Sequence, residues 1–152
     1  MSHEADPSLD RDVRFEVYRH FAETGRAPTA EVLAAALRVP EREVRQSLRR
    51  LADAHLLALS PGTALVWMAH PFSAVPTDFS VRAGGRRYWA NCAWDALAVG
   101  PLVGEDAVIE ARCPDCREPL RLRTEAGQLA PTGTVVHFAV PPARFWENIG
   151  FT

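Results

Sequence analysis

The apolar positions of this 152-residue chain change their period partway along it. Val13, Val17, Tyr18 and Phe21 recur at helical spacing and predict a helix from Asp10 to about Ala22, ended by Gly25. Pro28 and Thr29 open a second helix, with Thr29 as its cap and Val32, Leu33, Ala36 and Leu37 on one face. Pro40 opens a third, in which Val44, Leu48 and Leu51 form an apolar stripe and Arg42, Arg45, Arg49 and Arg50 lie largely opposite. Two short apolar runs follow, 56–59 and 64–68, separated by the turn residues Ser60-Pro61-Gly62-Thr63. Three helices followed by a hairpin is the order of a winged helix-turn-helix.

From there the pattern favours strands. The stretch from His70 to Asp78 holds Pro71 and Pro76 and reads as a linker. Runs at 79–82 and 86–90 flank Gly84-Gly85, a hairpin signal. Residues 93–103 are apolar and helix-like. Runs at 107–112 and 120–124 form a further strand pair, and 135–140 reads as one more strand, stopped by Pro141-Pro142. The expected class is α+β. A disordered lead over 1–10 precedes a three-helix winged-helix-like subdomain over 11–69. A linker over 70–78 then leads to a domain over 79–152, a small mixed or antiparallel sheet with one helix after Cys92.

Composition narrows the function classes. Apolar residues make up 47% and charged residues 24%, as in ordinary globular proteins. No apolar run approaches the roughly 20 residues that span a bilayer. The polar, acidic start Met1-Ser2-His3-Glu4-Ala5-Asp6 lacks the features of a signal peptide, so no membrane and a cytoplasmic location are expected. Net charge is −2 with a pI near 6.2, which argues against nucleic acid as partner. Three cysteines is an odd count. In a reducing compartment it points to metal or thiol chemistry rather than to a disulfide framework.

Candidate chemistry falls in three places. In Tyr88-Trp89-Ala90-Asn91-Cys92-Ala93-Trp94-Asp95 a strand ends and a helix begins at Cys92. Amides at a helix start stabilise a thiolate and lower a cysteine's pKa. Asp95, three residues on, lies on the same helical face, so a soft ligand stands beside a group that can hold a proton. Against this stands a buried, inert cysteine and an aspartate favoured by the helix dipole. In Arg112-Cys113-Pro114-Asp115-Cys116-Arg117, between two strands, Cys113 and Cys116 have the spacing to grip one metal ion. A closed zinc site needs four ligands, which Cys92, His70 or His137 would have to complete. A redox pair or a turn with inert cysteines are the alternatives. The arginines of the third helix could meet phosphates and bases, but Glu41, Glu43 and Asp53 interleave with them, as on a solvated face. His20 and His55 sit in helical patterns without a partner in view, and the four tryptophans read as core.

The Cys92-Ala93-Trp94-Asp95 segment, entered from an aromatic-rich strand, resembles the active-site stretch of the organomercurial (alkylmercury) lyases. Arg112-Cys113-Pro114, a turn and Leu120-Arg121-Leu122 match that family's next strand pair, and the winged-helix-like start is also similar, so the resemblance covers about residues 12–145. It implies cleavage of carbon–mercury bonds to a hydrocarbon and Hg(II). Cys92 would be the first mercury ligand and Asp95 the proton shuttle, acting in its neutral form. Cys113 matches a family cysteine regarded as structural, and Cys116 is not at a family position but lies near enough to offer a substitute thiol. No resident cofactor is implied, since mercury is substrate and product. The implied partners are the organomercury substrate, cellular thiols and a mercury(II) reductase downstream. The family also uses a second catalytic cysteine well after the first. The chain ends at Phe151-Thr152 after an aromatic, apolar stretch, so the expectation is a shortened reading frame with a cysteine or selenocysteine beyond Thr152. Two other readings stay open, a soft-metal (mercury) binder without turnover and a metal-responsive winged-helix DNA-binding regulator.

Overall fold

Pro7, whose ring presets the backbone angle of a first helical turn, starts the first helix. In the computed structural model, which describes residues 7–150, this α1 spans Pro7–Thr24. Residues 7–10, expected in a disordered lead, are therefore helical, and Arg50 holds Asp10 there through hydrogen bonds of 2.9 and 2.5 Å. Residues 1–6 of that lead lie outside the described residues. The chain divides into two compact units, Met1–Ala69 and His70–Thr152.

In the first unit α1 is followed by α2 (Ala30–Leu37), α3 (Glu41–Asp53), β1 (Ala58–Leu59) and β2 (Val66–Ala69). Val13, Val17 and Phe21 of α1, Leu33 of α2 and Val44, Leu48 and Leu51 of α3 are buried, as their spacing predicts. Thr29 caps α2, its hydroxyl accepting from the Val32 amide at 3.2 Å. The inward face of α2 differs from expectation. Ala30 and Leu33 point in, whereas Val32 is 41% exposed and Ala36 is exposed. Two turns of helix present only a narrow face, and the small Ala30 lets it approach its neighbours. β1 and β2 pair antiparallel, with the expected turn between them closed by Thr63 N–H donating to the Ser60 carbonyl at 3.0 Å.

The second unit holds β3 (Phe72–Ser73), β4 (Ser80–Ala83), β5 (Arg86–Ala90), α4 (Ala93–Val103), β6 (Ala107–Arg112), β7 (Pro119–Glu125), β8 (Gln128–Leu129) and a 3-10 helix (Pro142–Glu147). The strands run antiparallel in the order β3-β5-β4-β6-β7-β8. Gly84 and Gly85, at φ +54° and +74°, make the tight β4–β5 turn that their sequence announced. Phe72, Tyr88, Ala90, Val81, Ala83, Ala107, Ile109 and Thr124 alternate onto one buried face of the sheet. α4 lies across that face through Ala96, Val99 and Gly100.

Two expectations for this unit are corrected. The stretch 70–78 is not a linker. It holds β3, paired Phe72 to Ala90, and Pro71, Phe72 and Ser73 are all buried. Its prolines lie outside the two paired residues, so they do not interrupt the ladder. Residues 135–140 form no strand; Val135 is 84% exposed, and Phe138 instead stacks near Trp94 and Phe145 with ring centroids 6.5 and 5.5 Å away. Of that segment, Phe138 walls a cavity rather than filling a sheet.

Candidate active site

β5 ends at Ala90, and its end is fastened by Thr77, whose hydroxyl donates to the Ala90 carbonyl at 2.6 Å. Two residues later the chain turns into α4 with Cys92 as its N-cap, in extended backbone. The Cys92 sulfur accepts from the Asp95 amide at 3.5 Å, the bond that a serine or aspartate hydroxyl or carboxyl oxygen usually accepts at this position. The cap thus sets the thiol over the first turn of α4, and the i, i+3 spacing turns the Asp95 side chain toward the same place.

Asp95 is only 14% exposed and its carboxylate is held from two sides. Asn91 Nδ2 donates to Asp95 Oδ2 at 3.0 Å, and His70 Nδ1 lies 3.1 Å from the same oxygen. Asn91 Nδ2 also donates to the Phe72 carbonyl at 3.2 Å, tying the carboxylate to β3. Asn91 Oδ1 is buried without a hydrogen-bond partner among the described residues. His70, Asn91, Cys92 and Asp95 open on a cavity of about 250 Å³, walled by Trp94, Phe138, Pro142, Phe145, Trp146 and Ile149. Trp146 meets His70 edge to face, with centroids 6.2 Å apart. One end of the cavity is therefore a thiol and a carboxylate, and the rest is largely aromatic and apolar.

Burial pushes the Cys92 thiol above the ordinary cysteine range, and the Asp95 carboxylate adds to that. The amides of Asp95 and Trp94 act in the opposite direction and are outweighed. This reverses the lowered value expected from a helix start: desolvation disfavours the charged form more than the cap amides favour it. The sulfur therefore holds its proton more firmly than an ordinary cysteine, with the Asp95 carboxyl one helical turn away.

Cys113 and Cys116 do not line this cavity. They stand on the β6–β7 turn as free thiols, Cys113 half-buried and Cys116 exposed. The ligands considered for completing zinc there are placed elsewhere, Cys92 and His70 in the cavity and His137 on an exposed segment. Among the described residues no group of three or more His, Cys, Asp or Glu side chains is arranged to hold a metal ion. The α3 arginines are largely engaged, Arg45 with Glu41 at 2.5 Å and Arg50 with Asp10 at 2.5 Å. No helix of the described residues is long and apolar enough to cross a membrane.

His70 and Asn91 had no catalytic part in the sequence pattern. Asn91 stood inside the motif, and its place four residues before Asp95 was the available signal. His70 meets Asp95 only because β3 pairs with β5, and nothing local announces that.

Comparison with known proteins bears on the fold and the family. A search of curated proteins gave no significant match. Among solved structures, the crystal structure of the mercury-bound form of MerB2 superposes with a TM-score of 0.68 at 23% identity, over 84% of this chain and 61% of that one. That likeness shows the fold, and the present chain spans about three fifths of the MerB2 chain. The family model described as MerB, alkylmercury lyase, matches residues 72–152, more than half of the sequence and every residue lining the cavity except His70. The chain belongs to the alkylmercury lyase family.

Proposed function

We propose that this protein cleaves carbon–mercury bonds by protonolysis, with Cys92 as mercury ligand and Asp95 as proton carrier. The observation that carries the reading is a thiol and a carboxylate one helical turn apart at the end of one aromatic-walled cavity. Mercury is soft and prefers thiolate sulfur, so R–Hg⁺ exchanges its solution thiol for Cys92. The S–H proton must leave as the S–Hg bond forms, and Asp95 is the carboxylate beside it. Thiolate donation raises electron density on the mercury-bound carbon. Asp95 then returns the proton to that carbon, the C–Hg bond breaks, and R–H leaves as Hg(II) stays on sulfur. Excess cellular thiol removes the Hg(II) and restores the cysteine proton. His70 and Asn91 keep the carboxylate aimed into the cavity, and the apolar walls suit the organic group.

The test is incubation with a phenylmercury salt and excess thiol, with benzene measured by gas chromatography. Release should be seen with the intact side chains and abolished in both Cys92→Ser and Asp95→Ala. Unchanged release in either variant would sink the assigned roles. Mercury retained without any hydrocarbon would favour a soft-metal binder instead.

A further inference from the structure

The turn between β6 and β7 has a second thiol arrangement that the cavity chemistry does not use. The strands close at the pair Arg112 and Pro119, and the loop between them is tied twice. Cys113 N–H donates to the Glu118 carbonyl at 2.9 Å, and Arg117 N–H donates to the Cys113 carbonyl at 3.0 Å. Arg117 takes a left-handed φ of +62° to allow this, and its guanidinium reaches Asp78 at 3.6 Å. The loop is short, tied across its base and open to solvent. Cys113 and Cys116 both project from it as free thiols. The two cysteines stand three residues apart on this tied turn, the spacing at which a pair of sulfurs can grip one metal ion, and hydrogen bonds from Cys116 and Asp115 reach the Cys113 sulfur. Those bonds hold the Cys113 thiol below the ordinary cysteine range.

Two thiolates from one turn are too few for a closed tetrahedral zinc site, and no third protein ligand joins them among the described residues. They are sufficient for a soft, thiophilic d¹⁰ cation that is content with two sulfurs. We propose that Cys113 and Cys116 form an exposed dithiol site that binds Hg(II), separate from the Cys92 cavity. Taking Hg(II) from a bis-thiolate complex forms two S–Hg bonds on the chain and breaks the two bonds to the carrier thiols. The protons of both cysteines leave on those carriers, and nothing is oxidised or reduced. The second bond forms within one turn, at an effective concentration of about millimolar or more, which favours the dithiol over single thiols in solution. The site does not depend on carbon–mercury cleavage. Failure of the proposed activity leaves it standing, and the reverse also holds.

The test uses the full chain carrying Cys92→Ser, so that the cavity thiol cannot contribute. It is mixed with mercuric chloride and excess glutathione, passed through a desalting column and weighed by native mass spectrometry. One Hg(II) retained per chain is expected, falling to none when Cys113→Ser or Cys116→Ser is added. Thermal unfolding of each variant checks that the fold is kept. Retention unchanged by those substitutions, or no retention in Cys92→Ser alone, overturns the proposal. A parallel titration with zinc chloride should leave the chain metal-free. Zinc bridging two chains into a dimer would identify a shared four-sulfur site and overturn it as well.

Discussion

Gly100→Ala tests how tightly the helix that presents the site is seated on its sheet. A methyl group added there meets Thr124 Oγ1 at 2.6 Å, Ala107 Cβ at 2.8 Å and the Glu105 carbonyl oxygen at 2.9 Å. Carbon atoms pack at about 3.5–4.0 Å, so α4 would have to lift by on the order of 1 Å. Two of the three neighbours are a backbone oxygen and a Cβ, which cannot swing aside as the end of a long side chain does. Replacing glycine by alanine in a helix gains about 1 kcal/mol on its own. Overpacking of a filled core costs about 1–3 kcal/mol, and backbone-fixed neighbours put this case toward the upper end. The net expectation is a loss of about 1–2 kcal/mol, or about 2–8 °C in Tm for a chain of this size. Thermal unfolding followed by circular dichroism measures it. A parallel rate of Cys92 alkylation reports whether the start of α4 has moved, because Cys92 caps that helix. An unchanged or raised Tm would refute the packing argument, since only the propensity gain would then be felt.

Asn91→Ala removes a donor to Asp95 while leaving both reacting groups, so hydrocarbon release should fall by about tenfold to a hundredfold with mercury uptake at Cys92 retained. Equal loss of uptake and release would show that Asn91 acts on the fold instead. Cys113 is held below and Cys92 above the ordinary cysteine range. Iodoacetamide at neutral pH should therefore label Cys113 before Cys92 in peptide mapping, and the Cys92 rate should keep climbing into alkaline pH. Arg50 holds the Asp10 carboxyl below its ordinary range, so its contribution is present above the unfolded carboxylate value and lost as pH falls through the folded one. Asp10→Asn should lower Tm at neutral pH by an amount equivalent to about 1 kcal/mol or less, with the gap to the parent closing below about pH 4.

The elements that could be read from the sequence are those whose signals are local. α3 showed its Val44, Leu48 and Leu51 stripe, α4 showed an apolar, helix-like run over 93–103, and the β4–β5 turn showed two adjacent glycines. β3 is two residues long and owes its existence to a partner strand that comes later in the chain. β8 follows a turn in which Ala126 takes a positive φ, a conformation alanine does not advertise, held by its amide donating to Asp106 at 2.8 Å. The 135–140 segment has the composition of a strand, yet its Phe138 serves the cavity wall. At the site, Cys92 and Asp95 were visible as an i, i+3 pair because that relation lies within one helix. The burial that decides the state of the thiol is a property of the assembled sheet, helix and aromatic wall, and the sequence showed only the amides that oppose it.

The sulfur of Cys92 is at once a reagent and a piece of helix architecture. Serine at position 92 keeps an oxygen able to cap α4 and removes only the soft ligand, whereas alanine removes both and should add about 1 kcal/mol of instability. The serine variant is therefore the chemical knockout and the alanine variant a mixed lesion. The same dual role means that mercuration or oxidation of this sulfur draws on electron pairs that otherwise accept from the Asp95 amide. The first turn of α4 then registers the chemical state of its own cap. Amide exchange at Asp95 is a place where occupancy of the site can be followed without any turnover.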